Sequence, residues 1–77
     1  MKIEILGKGC PKCKRAEETI VEVVRKAGVS AEVVHVTDLN EIASRGVMMT
    51  PAVYVDGAKK LEGRNPREAD IKKWLGL

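Results

Sequence analysis

The chain opens on an alternation of polar and apolar residues, Lys2–Ile3–Glu4–Ile5–Leu6, which reads as a strand. Gly7 and Gly9 break it. From Cys13 onward the apolar or small positions fall at Ala16, Ile20, Val23, Val24 and Ala27. Spacings of three and four put them on one face of a long helix. Lys14, Glu18, Glu22 and Lys26 lie on the other side, with Glu22 and Lys26 in the favourable order for a side-chain pair. Pro11 suits the first position of that helix, and Gly28 suits the residue just past its end.

Residues 31–36 are rich in β-branched side chains and predict a second strand. Asp38 with Glu41 forms a capping box for a short helix over 39–45, closed by Gly46. Residues 52–55 predict a third strand, and Asp56–Gly57 is a two-residue hairpin signal. Residues 58–62 return as a fourth strand, with Lys59 and Lys60 suited to an exposed edge. Asn65, Pro66 and Glu68 read as N-cap, first-position proline and capping glutamate of a last helix that turns Ile71, Trp74 and Leu75 inward.

The order is βαβαββα, an α/β arrangement. A strand–helix–strand unit of this kind is parallel and right-handed, and the hairpin adds antiparallel pairs. The simplest burial of these stripes is one four-stranded mixed sheet with helices on both faces. Seventy-seven residues fit a single domain, 1–77, with no repeat or linker. With 44% hydrophobic and 32% charged residues the composition is globular. The net charge is +3, but there is no Phe and only one Tyr and one Trp, too few aromatics for a single-strand stacking platform. No nucleic-acid partner is therefore expected. No stretch approaches a membrane span or a signal-peptide apolar region, so a cytoplasmic monomer with no membrane partner is expected.

The two cysteines, Cys10 and Cys13, stand three apart. A bridge between them closes so short a loop that it restrains little of the unfolded chain. Their explanation is chemical rather than structural. Cys10 falls at the start of the long helix, where unpaired N–H groups and the positive end of the helix dipole favour a thiolate. Lys8, Lys12, Lys14 and Arg15 add positive charge, so a lowered thiol pKa is expected at Cys10. Cys13, one turn on and on the apolar face, is expected to be buried and less acidic. That asymmetry suits a nucleophilic Cys10 and a resolving Cys13. Pro11 stiffens the turn between them.

A different class competes for the same motif. Two thiolates also suit a soft metal such as Cu(I), and copper-chaperone-like modules place such a pair after their first strand. Those modules run βαββαβ and end on a strand, whereas this chain predicts a capped final helix. Zinc has an incomplete donor set here, two cysteines and one distant His35, so no metal site is assigned. His35 is expected to be a strand residue with a satisfied partner. Met48 and Met49 are expected to pack from loop to core, the alternatives being to line a substrate groove or to bind a soft metal.

Gly7-Lys-Gly-Cys-Pro-Lys-Cys13 and Met49-Thr-Pro-Ala-Val-Tyr-Val-Asp-Gly57 together resemble the thioredoxin/glutaredoxin superfamily, most closely its small archaeal and bacterial redox-active-disulfide members. The resemblance covers nearly the whole chain. It implies a thioredoxin-like fold and protein-disulfide reductase activity, with no cofactor beyond a Cys10–Cys13 redox disulfide. It also implies protein disulfides as substrates and a thioredoxin-reductase-like flavoprotein as a donor. Pro51 matches a superfamily proline that follows a cis peptide bond and packs against the cysteine motif. Thr50 matches the residue whose backbone pairs with an extended substrate segment, a short β-augmentation, with Met49 beside it. The chain departs from the pattern in four ways, one being that the extra N-terminal strand and helix of full thioredoxins are not found in it. The motif is Cys-Pro-Lys-Cys, the glutathione-binding run of glutaredoxins is replaced by Glu62-Gly-Arg-Asn-Pro66, and no buried acid beside Cys13 is identifiable.

Overall fold

The computed structural model describes residues 1–8 and 11–77. Its elements are β1 (Lys2–Leu6), α1 (Pro11–Ala27), β2 (Glu32–Val36), α2 (Leu39–Ser44), β3 (Ala52–Val55), β4 (Ala58–Glu62) and α3 (Glu68–Trp74). The four strands form one sheet in the order β2-β1-β3-β4. β1 and β2 run parallel, while β1–β3 and β3–β4 are antiparallel. The expected α/β, mixed-sheet, thioredoxin-like fold is therefore the observed one.

Side-chain alternation sorts each strand between two cores. Ile3 and Ile5 of β1, with Val53 and Val55 of β3 and Leu61 of β4, pack against Ala16, Ile20, Val23 and Val24 of α1 and Ile71 of α3. Trp74 and Leu75 cover the edge of that cluster. On the opposite face Leu6, Ala52 and Tyr54 pack with Ile42 of α2. Two helices thus cover one face and the short α2 the other.

The turn chemistry follows the local signals. Gly28, just past α1, has φ +68°, the left-handed conformation that an L side chain resists. Asp56 and Gly57 have φ 50° and 85°, the signature of a type I′ hairpin. Asp56 Oδ1 also accepts from the Lys2 backbone N–H at 2.8 Å, tying the hairpin to the first strand.

Two details differ from expectation. α2 is capped by Asp38, which accepts from Asn40 N and Glu41 N, but Glu41 does not complete a capping box. Its carboxylate turns to Arg45 instead. The second difference lies at the start of α3, whose N-cap is Arg67 and not Asn65. Asp70 supplies the cap by accepting from the Arg67 backbone N–H at 3.0 Å, and Arg64 reinforces it at 3.1 Å. A carboxylate at the third helical position and an arginine ahead of the helix thus outcompete the asparagine. Among the described residues, no helix is long and apolar enough to cross a membrane.

Candidate active site around Cys13 and Pro51

Cys10 lies outside the described residues. The expectations that rest on its exposure and acidity lie there with it. Pro11 is the first residue of α1, as expected, and Pro11 and Lys12 are exposed. Cys13 is fully buried. It stands at the third position of α1, on the same face as Ala16 and Ile20, so the stripe that builds the core also buries this thiol.

Gly7 leaves β1 directly beneath it. The backbone is held there by two bonds: Gly7 N–H donates to Val36 O at 3.0 Å, and His35 Nε2 donates to Gly7 O at 2.9 Å. The same ring sets Nδ1 3.1 Å from Glu17 Oε1 of α1. His35 therefore links the end of β1 to the flank of the cysteine-bearing helix. This is the satisfied strand histidine that the sequence predicts, with the added finding that its partners frame the motif. A β-carbon placed on Gly7 would overlap Cys13 Sγ and stand 3.3 Å from Cys13 Cβ and 3.3 Å from Thr50 Cβ. Gly7 is thus the contact point at which helix, strand and loop converge. It brings together Cys13 and Thr50, two residues 37 positions apart in the sequence.

The Thr50–Pro51 peptide is cis, as the resemblance implies. Pro51 is fully buried, and its carbonyl accepts from Gly63 N–H at 2.9 Å. The three residues before it are exposed. Met48 is 88% and Met49 63% accessible, so neither packs into the core. The loop-to-core reading of these methionines is therefore not the observed one, and a side chain of β4 holds their backbone at the surface. Glu62 Oε2, at the end of β4, accepts from Met48 N–H at 2.7 Å and from Met49 N–H at 3.0 Å. Lys59 Nζ donates to the other oxygen at 2.7 Å.

The Lys59 ammonium and the two backbone donors together pull the Glu62 carboxyl down to about 2. A depressed folded-state pKa stabilises the fold above the ordinary value near 4.5, and that contribution is lost as pH falls from there toward 2. The Met48 and Met49 amide resonances are expected to titrate together with a midpoint near 2. In Glu62→Gln that step should vanish. A midpoint near 4.5 in the unaltered protein would mean the clasp is not made in solution.

Among the described residues, the buried polar or charged side chain is Glu4, 7% accessible. It alternates with Ile3 and Ile5 and so faces the α2 side of the sheet, away from α1. Arg45 holds it in two bonds, Nη1 to Oε1 at 2.9 Å and Nη2 to Oε2 at 2.7 Å. The Arg45 bond is the largest cause of the lowered Glu4 pKa and outweighs burial, which acts the other way. This acid is matched to its own arginine and is not a partner of Cys13.

A thioredoxin-domain family model matches residues 1–76. The chain belongs to the thioredoxin-domain family. It is 44% identical over 73 residues to a thioredoxin of Methanocaldococcus jannaschii, covering 95% of this chain and 84% of that protein. It is 36% identical over 75 residues to a thioredoxin of Methanothermobacter thermautotrophicus, covering 97% of each. Its activity is accordingly of the thiol–disulfide oxidoreductase kind. The copper-chaperone-like alternative finds no support in these relatives, and the element order βαβαββα differs from the βαββαβ of that reading.

Sequence reasoning singled out the cysteines and Pro51 but passed over Gly7 and Glu62. Gly7 carried a usable signal, since a glycine at a strand end often marks a close approach of backbone to a neighbour. Glu62 carried none, because its partners lie 13 and 14 residues away across a hairpin.

Proposed function

We propose that the protein reduces protein disulfides with Cys10 as nucleophile and Cys13 as resolving thiol. The Cys10 thiolate attacks one sulfur of the substrate disulfide, forming a mixed disulfide and expelling the first substrate thiolate, which takes up a proton. Cys13 then loses its proton and attacks the Cys10 sulfur, expelling the second substrate thiolate. The substrate gains two electrons and two protons, and Cys10 and Cys13 are left joined as a disulfide. No cofactor beyond that disulfide is needed. A donor dithiol, for which a thioredoxin-reductase-like flavoprotein is the proposed source, returns it to the reduced form.

The observation that carries this reading is the complete burial of Cys13 beside exposed Thr50. A sheltered thiol does not meet a bulky substrate first, which suits Cys13 to the second, resolving step on Cys10, three residues earlier in the sequence. The exposure of Met49 and Thr50 supports a substrate role for this loop, with the buried Pro51 shaping its end. An extended segment would pair with the Thr50 backbone while Met49 offers a polarizable apolar contact. Pro11 fixes the turn and Lys12 adds positive charge at the helix start. A dithiol that must be re-reduced belongs in a reducing compartment, and the cytoplasm is the proposed place of action.

The test joins insulin-disulfide reduction to thiol trapping. Cys10→Ser is expected to abolish reduction. Cys13→Ser is expected to keep the first attack and to accumulate a mixed disulfide that gel electrophoresis without reductant displays. Reductase activity surviving in Cys10→Ser, or faster native alkylation of Cys13 than of Cys10, would overturn the assignment.

A further inference from the structure

The positive charge of this chain is gathered at one end of the molecule. Residues 8–16 hold four cations, Lys8, Lys12, Lys14 and Arg15, and no acid. Since the whole chain is +3, all its other residues together come to −1. The first turn of α1 likewise lacks an acidic residue. The first acid along that helix, Glu17, lies 3.1 Å from His35 Nδ1.

The ion pairs lie outside this segment, although among the described residues Lys2, Lys60, Arg67 and Lys73 also stand without one, scattered over the rest of the chain. Arg25, Lys26, Arg45, Lys59, Arg64 and Lys72 each have a carboxylate partner. Among the described residues, none of the four cations at positions 8–15 has one, and all four are exposed. A mixed-charge surface arranged only for solubility would intersperse the two signs. Here a field of one sign surrounds the start of the cysteine-bearing helix, where the helix dipole adds to it.

An apolar element borders it. Lys8 follows Gly7, and Gly7 packs against both Cys13 and Thr50. The basic segment and the exposed Met48–Met49 pair therefore meet at one end of the domain, with the Glu62 clasp holding the methionine backbone in place. We propose that this end is a docking surface for acidic, disulfide-bearing protein segments. Lys8, Lys14 and Arg15 receive carboxylates that flank the target disulfide, and Met48 and Met49 receive an apolar neighbour. The inference rests on the disulfide-reductase reading and names the substrate class for that site.

The experiment uses three peptide disulfides that differ only in their flanks: acidic, neutral or basic. Second-order rate constants are measured as ionic strength rises from about 0.01 to about 1 M, which shortens the screening length from about 30 to about 3 Å. The acidic peptide is expected to react about tenfold faster than the neutral one at low salt, the lower range of electrostatic steering, and at nearly the same rate at high salt. The basic peptide should react more slowly than the neutral one. In Lys14→Glu/Arg15→Glu the order of acidic and basic peptides should invert, with the neutral peptide reporting any change in thiol chemistry. Three equal rate constants at low salt would overturn the docking surface and leave the reductase reading intact. A neutral peptide that is not reduced at all would instead remove the reductase reading. Binding of a labelled nucleic acid without any peptide preference would reassign the surface and overturn the proposal.

Discussion

Gly7→Ala is expected to destabilise the fold by about 1–3 kcal/mol, the usual range for an extra methyl forced into a packed site. The reason is the overlap of the new β-carbon with Cys13 Sγ. Cys13 has little freedom to move aside, since it is fully buried at the head of α1. Thr50 closes the third side at 3.3 Å. Either the thiol leaves its preferred rotamer or the first turn of α1 shifts. For a chain of 77 residues the total stability is on the order of 4–12 kcal/mol, so the loss is a sizeable fraction. Denaturant titration of a double-mutant cycle checks the cause. Cys13→Ala removes the obstructing sulfur, so Gly7→Ala should cost much less in that background, with a coupling of about 1–2 kcal/mol. Strict additivity would show that the two residues do not meet in solution. On the proposed mechanism the same displacement is expected to slow release of a mixed disulfide, because the attacking sulfur is moved.

Local signals carried most of the fold. Each strand, the two-residue hairpin and the Gly28 helix end follow from patterns a few residues long, and all recur in the structure. What the sequence left unread depends on partners distant along the chain. Glu4 looks like an ordinary solvent-facing strand position, and only the covering of that face by α2 and Arg45, 41 residues on, buries and neutralises it. The start of α3 was misplaced for a related reason. Asn65 and Glu68 fit a capping pattern, but Arg64 and Asp70 form a stronger charged bond around Arg67 N. The site divided the same way. Cys13 and Pro51 were legible as motif positions, while the glycine that joins them emerged only when two distant segments were placed together.

Replacing Arg45 tests whether the buried charge at Glu4 depends on that one partner. Arg45→Met keeps the apolar stem but leaves a carboxylate at 7% accessibility without its two charged bonds. It also removes the guanidinium that sits 5.3 Å over the Tyr54 ring. Breaking a buried pair from one side costs about 3–5 kcal/mol, and the lower end applies because the Arg45 side chain is 24% accessible. The exposed Glu22–Arg25 pair is of a different order, about 0–1 kcal/mol. The pH dependence supplies the sharper signature. In the unaltered protein the Glu4 pKa is held below 4.5, so its contribution is present above that pH and is lost as pH falls through the folded value. Without Arg45 the surviving effect of burial is to raise it. The variant then loses stability as pH rises through the raised pKa and recovers it in acid. The stability gap between the two proteins is therefore expected to be wide at pH 7 and to narrow toward pH 4, as read by urea titration at each pH. Glu4→Leu/Arg45→Met, which removes both charges, should return stability to within about 1 kcal/mol of the original at pH 7, since an apolar pair of similar volume avoids the desolvation cost. An equal loss at both pH values, or a double variant no better than the single one, would show that Arg45 stabilises the fold through packing alone.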